Sequence, residues 1–83
     1  MTTITRDESR PHPSEDPRLH VRIEEDLRVM IADGRLRSRQ AAPSIAELRR
    51  VYGCCRQTAA RPLQRLVADG LLIRYPGLGY YVR

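Results

Sequence analysis

The chain contains no lysine, phenylalanine or tryptophan, and its only two cysteines, Cys54 and Cys55, are adjacent. Neighbouring thiols provide neither the spaced pairs of a zinc site nor a loop-closing disulfide, so reduced thiols and no structural metal are expected. No stretch approaches the roughly 18 apolar residues of a membrane span, and Met1 to Arg18 lacks the apolar core of a signal peptide. A cytoplasmic protein follows, with no membrane partner. His12 and His20 have no Cys, Asp or His at metal-ligand spacing, and no Ser-His-Asp set or phosphate-cradling glycine loop is present. Glu24, Glu25 and Asp26 read as a solvated face, not a catalytic carboxylate pair. At 83 residues there is room for one small core and none for an enclosed ligand site. Neither an enzyme nor a cofactor is expected.

Basic charge, by contrast, is plentiful and unevenly placed. Residues 1 to 33 carry five Arg against eight Asp and Glu, whereas residues 34 to 83 carry ten Arg against only Glu47 and Asp69. A net charge of +5 is by itself a weak pointer to polyanions. Concentration of that charge in one segment is a stronger one, because nucleic-acid footprints are local. The exclusive use of Arg suits bidentate binding of phosphate and guanine, but an Arg-, Ala- and Pro-rich composition more often reflects a GC-rich genome.

The pattern along the chain predicts three helices and a hairpin. Residues 1–17 hold Pro11, Pro13 and Pro17, mixed charges and one large apolar residue, Ile4. Such a segment cannot offset the entropy of ordering and reads as an arm disordered in isolation. From Arg18, the spacing of Leu19, Ile23, Leu27, Met30 and Ile31 predicts a core-packing helix stopped at Gly34. An Arg-studded connection follows over 35–42, with a short edge strand near Gln40 to Ala42. Pro43-Ser44-x-x-Glu47 is a capping box that predicts a helix from Ile45, ended by Gly53 in the left-handed conformation.

The next helix should start near Arg56, with Ala59, Leu63, Leu66 and Val67 inward, and Arg56, Gln57, Ala60, Arg61 and Gln64 outward. Pro62 lies inside this pattern, and a proline there costs about 3 kcal/mol in a regular helix. A kinked helix or loosened first turn is expected, against a shorter helix that starts at Pro62 itself. Leu71 to Tyr75 and Tyr80 to Val82 then form strands around a Pro76-Gly77 type II turn. Tyr75, Tyr80 and Tyr81 resemble a base-stacking platform, but core or rim packing against the first helix is the expectation. The fold class is therefore mainly α with a small β-hairpin, a winged helix-turn-helix over 18–83 with a two- or three-stranded wing.

These residues resemble the DNA-binding domain of the GntR family of bacterial transcription regulators. The motifs are Pro43-Ser44, Tyr52-Gly53-x-x-Arg56-x-Thr58, Leu63-x-x-Leu66, Asp69-Gly70-Leu71 and the wing Gly77-x-Gly79-x-Tyr81-Val82. The resemblance implies a dimer on a partly palindromic operator, the second motif helix in the major groove and the wing tip in the minor groove. It assigns base or phosphate contact to Arg56, phosphate contact to Thr58 and close approach to Gly77. Many members carry Arg where this chain has Ala46 and Ala60, so the operator preference should differ from theirs. Arg49, Arg50 and Arg61 are placed to take over phosphate contacts. Most members also have a larger domain after the wing, whereas this sequence stops at Arg83. Either a minimal regulator without a small-molecule effector or an excised domain is expected, monomeric in solution and pairing on DNA.

The expected function is a sequence-specific double-stranded DNA-binding regulator, a repressor, with contacts from Ser44, Arg49, Arg50, Arg56, Gln57, Thr58, Arg61 and Gly77. Two alternatives remain open: a winged helix used for protein contact, and a low-specificity architectural or plasmid-maintenance protein. Cys55 sits where a helix cap is usually Ser, which raises one more reading, oxidation that releases DNA.

Overall fold

The computed structural model describes residues 16–83, so the predicted arm lies outside the described residues except for Asp16 and Pro17. The Asp16 carboxylate accepts a hydrogen bond from the Arg18 backbone N–H at 2.8 Å, a local turn that leads directly into the first helix. This helix, α1, spans Leu19–Ala32. Ile23 and Leu27 are fully buried while Leu19, Met30 and Ile31 pack half-buried around them. Each complete burial contributes about 1.5–3 kcal/mol. Val21, Glu25 and Val29, four residues apart, form the opposite, exposed face.

The second helix, α2, spans Ile45–Tyr52. Both halves of its capping box are formed: Glu47 N–H donates to Ser44 Oγ at 3.0 Å and Ser44 N–H donates to Glu47 Oε1 at 2.9 Å. Gly53 closes it at φ +66°, where its N–H reaches the Arg49 carbonyl at 2.8 Å. A side chain at that φ would be strained. The tight turn that follows tucks Cys54 into the core, its Sγ 3.8 Å from the Leu48 carbonyl.

Helix α3 spans Arg56–Ala68 without interruption. It is the central element: α1 and α2 both pack on it, as does the first strand. Pro62 lies inside it and is itself buried, so the uninterrupted helix is found and the shorter one starting at Pro62 is not. The missing N–H is offset by a continuous apolar stripe of Ala59, Leu63 and Leu66, each fully buried.

Strands β1 (Leu72–Tyr75) and β2 (Gly79–Val82) pair antiparallel with Leu72 opposite Val82 and Arg74 opposite Tyr80. The turn is closed by Leu78 N–H to the Tyr75 carbonyl at 2.9 Å, and Gly77 has φ +82°, the sign a type II turn requires at that position. The expected edge strand is reduced to one bridge between Ala41 and Tyr81. Hydrogen bonds nevertheless run along it, Ala42 N–H to Tyr80 O and Val82 N–H to Gln40 O, both 2.8 Å. Arg39 begins this segment at φ +72°, the one positive value outside glycine among the described residues, and its N–H meets the Val82 carbonyl at 2.7 Å.

The tyrosines correct one expectation. Tyr80 is buried in the core, but Tyr75 and Tyr81 lie on the outer face of the hairpin and meet edge to face at 5.5 Å. Cross-strand alternation is the cause: Tyr80 shares a face with Leu72 and Val82, and the odd-numbered residues take the other.

Candidate nucleic-acid interface

Helix α3 divides cleanly because its buried stripe leaves one side for solvent. Arg56, Gln57, Arg61 and Gln64 are exposed, with Ala60 half-buried between them. At about 100° per residue, Gln57, Arg61 and Gln64 fall within roughly 60° of one another. Two turns of polar surface are thus continuous from the helix start.

That start differs chemically from the start of α2. Cys55 occupies the cap position with no side-chain hydrogen bond to the helix end, and no acidic residue lies in the first turn. The first backbone N–H groups of a helix have no partner within it, and they carry partial positive charge. Arg56 and Gln57 therefore emerge at an end whose electrostatics already favour an anion.

Thr58 departs from the role the family resemblance assigns it. Its side chain is buried, with Oγ1 3.3 Å from Cys55 Sγ. It points into the protein because position 58 falls on the same side of α3 as Pro62. Ser44 is exposed but its oxygen is occupied by the Glu47 N–H. Arg50 is exposed on α2, Arg49 is half-buried there, and Gly77 is exposed at the wing tip.

Several carboxylates of the described residues are engaged in contacts that hold the fold together. Arg28 donates to Glu24 at 2.9 Å and also to Asp69, tying α1 to the end of α3, and Arg65 lies 3.6 Å from Asp69. The Arg28 hydrogen bond holds the Asp69 carboxyl below its ordinary range. Asp33 pairs with Arg35 at 2.9 Å. Asp26 accepts from Tyr52 Oη at 2.8 Å, which links α1 to α2. Burial and that bond push the Tyr52 phenol up to about 12. Arg65, one of the outward arginines, is thus spent on structure, whereas Arg50, Arg56 and Arg61 form no ion pair among the described residues.

Arg74, which is outside the expected contact set, joins the surface. A groove between α3 and the hairpin is lined by Ile45, Arg56, Ala60, Gln64, Val67, Arg74 and Tyr80. Arg74 reaches it because it follows Leu72 on the inner face of β1, opposite Tyr80. The signal was present in the alternation from Leu72 to Arg74, but only the register with β2 says which face looks at α3.

The arrangement of three helices, hairpin and exposed α3 start can be set beside known proteins. Residues 19–82 match the model for bacterial regulatory proteins of the gntR family. The chain belongs to the GntR family. This GntR chain is 36% identical over 64 residues to the histidine utilization repressor of Pseudomonas putida, covering 77% of its own length and 26% of the repressor. It therefore spans about a quarter of that relative. In structure it is similar to the DNA-binding domain of AraR in complex with operator ORX1, with TM-score 0.76, 28% identity and 78% of each chain covered. A putative GntR-family transcriptional regulator is also similar, with TM-score 0.71 and 35% identity over 78% of this chain and 26% of the other. Among the described residues, no helix is long and apolar enough to cross a membrane.

Proposed function

We propose that this GntR chain acts as a cytoplasmic, sequence-specific double-stranded DNA-binding domain of a repressor-type transcription regulator. The observation that carries the reading is the exposed, uncapped start of α3, where Arg56 forms no ion pair among the described residues and shares a groove with Arg74 of the hairpin. Similarity to a domain bound to its operator supports the same reading. Arg56 and Gln57 read base edges in the major groove, where Arg fits guanine and Gln fits adenine. Arg61, Arg49 and Arg50 neutralise phosphates, and the Ser44 hydroxyl adds a donor at the end of α2. Thr58 contributes by fixing the first turn of α3, not by side-chain contact. Gly77 carries the wing backbone into the minor groove. Two copies pair on a partly palindromic site, and the action is binding without chemistry.

Site selection from a random duplex pool, followed by titration of the winner and a scrambled duplex at two salt concentrations, tests this. Tighter binding to the selected site, with both affinities falling as salt rises, is the expected result. Equal affinity for the two duplexes would make the protein architectural, and no binding to either would make it a protein-contact module.

A further inference from the structure

Arg74 lies outside the contact set that the sequence motifs define, yet it stands where the two reading elements meet. It is exposed, on the inner face of β1, and lines the same groove as Arg56 and Gln64. None of the groove's lining residues is acidic. The Arg74 guanidinium has no hydrogen bond or ion pair among the described residues. This is not a core-packing role: Arg74 is exposed although its cross-strand partner Tyr80 is buried.

A duplex gripped by a helix in one groove and a wing in the adjacent groove has a sugar-phosphate strand running between the two elements. The concave surface between α3 and β1 is the part of this molecule that faces that strand. We propose that Arg74 is a phosphate-binding residue that holds the strand between the α3 and wing contacts, with Arg56 at the opposite side of the groove. The inference rests on the DNA-binding reading above. Its energetic role is register: phosphate contacts fix how far α3 enters the groove and carry no sequence information of their own.

The test compares the full chain with Arg74→Ala, Arg74→Lys and Arg56→Ala on the selected duplex and a scrambled one across a salt series. Loss of one phosphate contact flattens the slope of log affinity against log salt by about 0.9 and lowers affinity roughly fivefold near 0.15 M salt. Arg74→Ala should do both equally on the two duplexes, and Arg74→Lys should restore most of the slope because a point charge suffices for phosphate. An unchanged slope for Arg74→Ala, while Arg56→Ala loses discrimination, overturns the proposal and leaves the DNA-binding reading intact. Loss of discrimination by Arg74→Ala also overturns it, since that is the signature of a base contact. Failure of the unsubstituted chain to bind either duplex sinks the DNA-binding reading itself.

Discussion

The starts of α2 and α3 are built from similar turns and end up doing opposite things. Both cap residues are extended, Ser44 at φ −78° and Cys55 at φ −78°. At α2 the chain satisfies its own helix end, with Ser44 and Glu47 exchanging hydrogen bonds. At α3 the sulfur replaces the oxygen, no acid lies in the first turn, and no side chain caps the helix end. One helix end is closed by its own side chains, whereas the other keeps its first turn open and basic. The same division runs through the arginines. Arg28 ties α1 to the end of α3 through Asp69, which Arg65 also approaches, while Arg56 and Arg61 form no ion pair among the described residues.

Substitution at each start should separate the two roles. Arg56→Ala is expected to cost about 1–3 kcal/mol of discrimination between selected and scrambled duplex, with thermal stability unchanged because the side chain is exposed. Equal weakening on both duplexes would reduce Arg56 to a phosphate contact. Ser44→Ala should do the reverse, lowering unfolding free energy by about 1 kcal/mol in denaturant titration while discrimination is retained. Cys55→Ser supplies the missing cap oxygen and should raise stability by a few tenths of a kcal/mol up to about 1. If Cys55→Ser were neutral and Ser44→Ala equally so, the contrast between the two helix ends would have no energetic content.

A further prediction concerns the other end of α2. Tyr52 titrates near 12 in the folded protein against about 10 when unfolded. A folded-state value raised above the unfolded one favours the protonated phenol, so this contribution is complete below pH 10 and is lost as pH rises from about 10 to 12. Tyr52→Phe should remove that part of the alkaline decline, visible as a shallower fall of unfolding midpoint with pH. An identical alkaline profile for the two proteins would argue that neither the burial of the phenol nor the Asp26 bond is maintained in solution.

Local chemistry explains which features were legible in the sequence. Helix α2 was readable in full, because Pro43, Ser44, Glu47 and Gly53 are signals that act within four residues of themselves. The extent of α3 was readable despite Pro62, since Ala59, Leu63 and Leu66 form one stripe on either side of it. Properties set by pairing between distant segments were not. Arg74 joins the interface, and Tyr75 and Tyr81 leave the core, only once β1 and β2 are in register. Thr58 was assigned by resemblance to a surface role, but its place in the helical repeat turns its side chain inward. Arg39 occupies a left-handed conformation that no glycine or asparagine announces; the hydrogen bond to Val82 shows what that conformation achieves.

Chemical-shift mapping of backbone amides during titration with the selected duplex tests the central claim most directly. The account predicts large, saturable changes at Arg56, Gln57 and Gly77, with those along the outer face of α1, from Val21 to Val29, nearly still. Changes confined to α1, with the α3 start and the wing tip undisturbed, would contradict it.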